Sequence, residues 1–174
     1  MTALNTFKFG DCFLRPADER DRELAERWTA ADPDHAGRFD PGFWLENILG
    51  RDGFLLSDRQ GPCYFFKMHI HATLVLPWLS PSGAGAPNQI RTILHNIVQV
   101  FIQFPPCEEA RPMRVFRALA EGCQWLERTI IPMGAEEMIF DSRNETLIRF
   151  CVKRLRFERD GEMLRKKLIR ESGG

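Results

Sequence analysis

The sequence contains a single tyrosine, Tyr64, so it has almost no phenolic side chain to offer as a proton donor. It has no CxxC pair either. The five cysteines (Cys12, Cys63, Cys107, Cys123, Cys151) are odd in number and scattered, which argues against a zinc ribbon and against a disulfide framework. Reduced thiols in a cytosolic, cytoplasmic setting fit this usage. No apolar run approaches the length needed to span a bilayer, and the N-terminal MTALNTFKFG lacks the apolar region of a secretion signal. GxSxG, GxxxxGK[ST] and HExxH are all missing, which removes the common serine-hydrolase, P-loop and zincin chemistries. Net charge is absent too: Lys plus Arg equals Asp plus Glu at 24 each, so no overall field draws the chain to nucleic acid or membrane. Aromatic residues interleaved with basic ones are too few for a nucleic-acid stacking platform.

What is present is ordinary globular material. Residues 1–174 are expected to form one domain, with 44% hydrophobic and 28% charged residues. The charge is unevenly spread. Acidic residues predominate between Asp11 and Asp58, whereas Arg143–Arg170 holds ten basic residues against four acidic ones. That basic third suits an anionic ligand, or simply a solvated face.

Periodicity sets out the elements. Cys12–Arg15 reads as a strand ended by Pro16, Asp18–Ala31 as a helix, and Asp40–Leu49 as a helix or helical turn. Gly53–Ser57 and Pro62–Ile70 form a hairpin across Asp58–Gly61. Pro77–Asn88, rich in Pro, Gly and Ser, reads as a surface loop. Gln89–Phe104 fits both periods, with the strand reading favoured from about Ile97 and stopped by Pro105-Pro106. Pro112 suits a first helical position, and Val115, Phe116, Leu119, Ala120, Cys123 and Leu126 make a long stripe. Met138–Phe140 reads as a strand. Ser142-x-x-Glu145 reads as a capping box before a helix whose inner face is Leu147, Ile148, Cys151 and Leu155. Asp160-Gly161 turns a last hairpin between Arg156–Arg159 and Met163–Ile169. The whole is a mixed α/β (α+β) sheet, mostly antiparallel, flanked by helices and closed by a C-terminal hairpin.

The order VQVFIQF, PPCEEAR, PMRVFRALAEGCQWLERTI, Gly134, EMIF, NETLIRFCVKRL and hairpin resembles the GNAT superfamily of acyl-CoA-dependent N-acyltransferases. FLRPADERD resembles that family's first strand and helix start. The stretch from Asn144 through Cys151 in FCVKRLRF resembles its N-x-x-A-x-x-F-Y-E-K-R-L-G-F pattern, with Cys151 at the Tyr position and Arg156 at the Gly position. The resemblance implies N-acyl transfer from acetyl-CoA or another acyl-CoA to a primary amine of a small molecule or protein. A non-catalytic module of the same fold is the alternative, and four Trp and fourteen Phe leave aromatic surface for a homodimer or another protein partner.

The resemblance also implies sites. Ile102 and Phe104 would line the donor, and Asn144 opens the helix beside it. The Q/R-x-x-G-x-G/A phosphate loop falls on Arg111, Arg114, Val115, Phe116 and Arg117, with Arg114 and Phe116 at the glycine positions. Either Arg111, Arg114 and Arg117 replace backbone contacts to phosphate with charge-assisted ones, or Arg114 and Phe116 fill the space while Glu108 and Glu109 repel it. Cys151 takes the place of the family's acid, or packs as a core thiol. His69 and His71 share one face of a strand and are candidate bases, as are His95 and Glu108; H-x-H alone is weak as a metal pair. Arg156 is expected to mark a regular start to the strand.

Overall fold

The structure is a computed structural model that describes residues 6–45, 53–75, 93–109 and 111–168. The loop expected at Pro77–Asn88 and the side chain of His95 lie outside the described residues. Among the described residues eight strands form one sheet in the order β1-β2-β3-β4-β5-β6-β8-β7. They are β1 (Phe7–Phe9), β2 (Cys12–Pro16), β3 (Gly53–Asp58), β4 (Gly61–Val75), β5 (Ile93–Gln103), β6 (Glu137–Asp141), β7 (Glu158–Asp160) and β8 (Met163–Lys167). Three α-helices accompany them: α1 (Arg22–Ala31), α2 (Pro112–Ile130) and α3 (Glu145–Leu155). Every neighbouring pair is antiparallel except β5 and β6, which α2 joins as a parallel crossover.

The sheet is covered on both faces, by separate sets of elements. Tyr64, Phe66, Val98, Val100, Met138 and Phe140 form the larger core with the apolar stripes of α2 and α3. On the other face Phe65 packs with Leu55, Trp28 of α1, and Trp44. Each fully buried aliphatic or aromatic side chain contributes about 1.5–3 kcal/mol. At Gly53 any side chain would run into the Trp44 carbonyl, so glycine lets the turn before β3 lie directly on the sheet.

Several boundaries differ from expectation for local reasons. The first helix opens with a 3-10 turn, Glu19–Asp21, in which Asp18 and Asp21 form a reciprocal capping box. Arg15 then grips Asp21 through both carboxylate oxygens at 2.7 and 2.6 Å, fixing β2 to the helix start. Pro16 stays within β2, and Asp40–Leu49 gives only a 3-10 turn at Pro41–Trp44 among its described residues. The strand expected from Ile97 begins at Ile93, paired to Val75.

Ser142-Glu145 is not the capping box. Asn144 caps α3, its Oδ1 accepting from the N–H groups of Thr146 and Leu147, while Glu145 pairs with Arg159. At the other end Arg156 is left-handed, φ 62° and ψ 36°, and Phe157 N–H closes back onto Cys151 O at 3.2 Å. This is a helix stop that normally takes glycine, not the regular start to a strand that was expected. Arg156→Gly should therefore raise stability by about 1 kcal/mol, read as a higher thermal midpoint; an unchanged or lower midpoint would contradict it.

Candidate functional site

β5 and β6 are paired only from Ile97–Glu137 to Gln99–Ile139. Beyond that β5 continues to Gln103 without β6, and β6 continues to Asp141 with β8 alone. Two parallel strands that part at their C-terminal ends leave a wedge in the sheet, at the side where ligands collect in open α/β sheets. An apolar cavity of about 40 Å³ lies at this wedge, bounded by Val100 and Ile102 of β5, Phe140 of β6, Leu119 of α2 and Cys151 of α3. Ile102 and Phe104 are half-buried against the same core.

Cys151 is fully buried, and burial pushes its thiol up to about 12. Such a thiol remains protonated at neutral pH and gives up its proton poorly. Tyr64 also reaches the cavity. Burial holds its phenol well above the usual value, and its hydroxyl donates to Ala118 O at 3.3 Å. Gly122 makes room for that hydroxyl, since a Cβ there would collide with it.

The start of α2 is short of free donors. Pro112 has no N–H, and the N–H groups of Arg114 and Val115 both bond to Arg111 O, at 2.9 and 3.1 Å. The Arg114 side chain turns away to the β3–β4 hairpin. Its Nε and Nη2 donate to both oxygens of Asp58 at 2.8 and 2.7 Å, and Nη2 also reaches Gly61 O and Pro62 O. The Arg114 guanidinium holds the Asp58 carboxyl below its ordinary range. Phe116 stacks on Phe150 of α3, ring centroids 4.6 Å apart at 11°. Val115 is buried; Arg111 and Arg117 are exposed, Arg111 reaching Gln60 Oε1 at 3.5 Å. Asn144 is occupied with its helix cap. Of the two neighbouring acids, Glu109 is drawn to α1, accepting from Arg27 at 2.9 Å and Trp28 Nε1 at 3.1 Å, while Glu108 is exposed.

The opposite face carries the histidines. In the register His69, Gln99, Ile139 and Arg165 form one row, and His71, Ile97, Glu137 and Lys167 the next. His69 is half-buried and meets Phe101 edge-on, ring centroids 5.0 Å apart; His71 is exposed and donates to Gln99 Oε1 at 3.1 Å. Beside them Lys67 is fully buried, its Nζ donating to Phe43 O at 2.7 Å and lying 4.3 Å from the Phe43 ring. Gln103, also fully buried, accepts from His35 Nδ1 at 2.7 Å and donates to Asp32 Oδ2 at 3.2 Å. Asp58, Lys67, Gln103 and His35 were not singled out in the sequence, and no spacing signals them, because each partner is distant along the chain.

Comparison with solved structures settles the fold. The chain aligns with aminoglycoside N(6')acetyltransferase from Legionella pneumophila subsp. pneumophila str. Philadelphia 1 at TM-score 0.54 and 9% identity, over 93% of this chain and 95% of that one. Ribosomal-protein-S5-alanine acetyltransferase from Vibrio fischeri gives TM-score 0.54 and 11% identity, over 94% and 97%. An acetyltransferase of GNAT family from Streptococcus pneumoniae gives 0.53 and 12%, over 91% and 99%. The chain has the GNAT fold. No protein-family model and no curated protein matches the sequence. Within this GNAT fold the resemblance read from Asn144–Phe157 falls on α3 and the turn after it, beside the wedge. No helix among the described residues is long and apolar enough to cross a membrane.

Proposed function

We propose that the protein is an N-acyltransferase that moves an acyl group from a thioester, acetyl-CoA or another acyl-CoA, to a primary amine. The observation that carries this reading is the wedge between β5 and β6, with its apolar cavity at the point where the strands part. A thioester threaded through the wedge would have the apolar α2–α3 core on one side and the His69–Gln99 face on the other. An amine held against that carbonyl needs position more than apparatus. His69 is the base proposed to take the amine proton, with His71 nearer solvent beside it. The amine acceptor, whether small molecule or protein, would approach from that face. Cys151 acts here as an apolar wall, because its thiol is a poor acid at neutral pH. The leaving thiolate then takes its proton from solvent or from the base that received the amine proton.

A second reading has a specific observation behind it. Arg114 and Phe116 fill the start of α2 with an ion pair and an aromatic stack, as a non-catalytic module of the same fold would have it. Thiol release, followed with both acetyl-CoA and acetyl-pantetheine as donors, separates the two. With primary amines of graded size, the transferase reading expects release above the rate without protein. Background rates for every amine, from protein that melts normally, would leave the module.

A further inference from the structure

The helices that roof the wedge expose more positive than negative charge. On α2 and α3 the exposed basic residues are Arg117, Arg128, Arg149, Lys153 and Arg154. The one exposed acid on these two helices, Glu145, is already ion-paired to Arg159 at 2.9 Å. This excess of exposed positive charge favours an anionic partner.

The usual means of holding a nucleotide-bearing donor is meanwhile spent. A pyrophosphate at a helix start draws on several free N–H groups and on close backbone approach. At α2 one N–H is missing at Pro112, one is turned back to Arg111 O, and the Arg114 guanidinium is committed to Asp58, Gly61 and Pro62. The cavity behind is apolar.

From these two observations together we propose that the donor is a thioester on a pantetheine arm carried by an acidic protein, which docks on the basic faces of α2 and α3. This rests on the transferase reading above. A protein-borne arm brings a single phosphodiester instead of a pyrophosphate, and it gains its affinity from the charged surface. The reaction balances without a further reagent. The amine nitrogen bonds to the thioester carbonyl carbon, the carbon–sulfur bond breaks, and the amine proton passes to the base. The carrier's thiolate leaves and is protonated, so the products are an amide and a free-thiol carrier.

The test is calorimetry on the full chain with five probes: an acidic carrier protein bearing an acetylated phosphopantetheine arm, the same carrier without the arm, acetyl-CoA, acetyl-pantetheine, and a mixed-sequence RNA. The armed carrier is expected to bind at least about tenfold tighter than acetyl-CoA and to weaken by about tenfold at high salt. Removing the arm should weaken it as well. Arg149→Glu combined with Lys153→Glu, both exposed and outside the wedge, should weaken carrier binding by about tenfold or more. The same variant should bind acetyl-pantetheine as before and melt as before. Acetyl-CoA binding as tightly as the carrier overturns the proposal, as does carrier binding indifferent to the two reversals. Tighter binding of a mixed-sequence RNA than of the carrier also overturns it. If acetyl-CoA or acetyl-pantetheine binds and the carrier does not, the docking inference alone fails. If no thioester binds in any form, the transferase reading fails with it.

Discussion

Replacing Arg114 with glutamate is expected to cost about 2–4 kcal/mol of stability, between the values for exposed and fully buried ion pairs. For a chain of this length that is a fall in Tm on the order of 10 °C. The substitution removes four hydrogen bonds to Asp58, Gly61 and Pro62 and sets a second carboxylate against the Asp58 pair. Arg117→Glu, one residue outside this contact and exposed, should shift stability by no more than about 0.5 kcal/mol. Equal melting of the two variants would show that Arg114 is not the tie between α2 and the hairpin.

The pH dependence has the same origin. Because the Asp58 carboxyl titrates below its ordinary 3.8 in the folded chain, its share of stability is present above that pH. It is lost as pH falls through the lowered folded value. Asp58→Asn should therefore flatten the acid limb of the stability curve.

Trp44→Ala is expected to cost about 3–5 kcal/mol, the range for deleting a buried tryptophan. Trp44 is fully buried, its Nε1 donates to Thr29 Oγ1 at 3.0 Å, and its ring meets Phe43 edge-on at 5.0 Å. Through Phe43 it also supports the carbonyl that receives Lys67. Thermal melts and near-ultraviolet circular dichroism would measure the effect. Trp44→Phe, which keeps much of the volume, should recover more than half of it. Loss of less than about 1 kcal/mol for the alanine variant would mean that Trp44 does not anchor this face.

Much of the fold could be read in advance where periodicity is strong. Of the α2 stripe Val115, Leu119, Cys123 and Leu126 are buried and Phe116 and Ala120 half-buried, and the inner face Leu147, Ile148, Cys151 and Leu155 buries as its spacing requires. The antiparallel sheet and closing hairpin follow from the turn chemistry of Asp58–Gly61 and Asp160-Gly161. Local competition hid other features. Ser142 and Asn144 are both good caps, and only the backbone geometry selects Asn144. Arg156 does not itself favour a left-handed backbone; the hint was the Gly at its place in the resembled pattern, and the local closure of Phe157 N–H onto Cys151 O ends the helix there.

The site was less legible than the fold. Arg114 could be placed at the start of α2 from its sequence position, but its acceptor Asp58 lies 56 residues earlier. Likewise no spacing foretells that Phe116 meets Phe150, or that Lys67 is buried beneath Phe43. These long-range pairs decide whether α2 is free to hold phosphate, and a single sequence records only one half of each.

The most direct measurement is calorimetric titration of the protein with acetyl-CoA and with acetyl-pantetheine. The wedge predicts saturable one-site binding of acetyl-pantetheine with Kd at or below about a millimolar, roughly 4 kcal/mol of affinity. The acetyl-CoA titration then shows whether the nucleotide adds to it. No saturable heat with either thioester at several millimolar, from folded protein, would contradict the account.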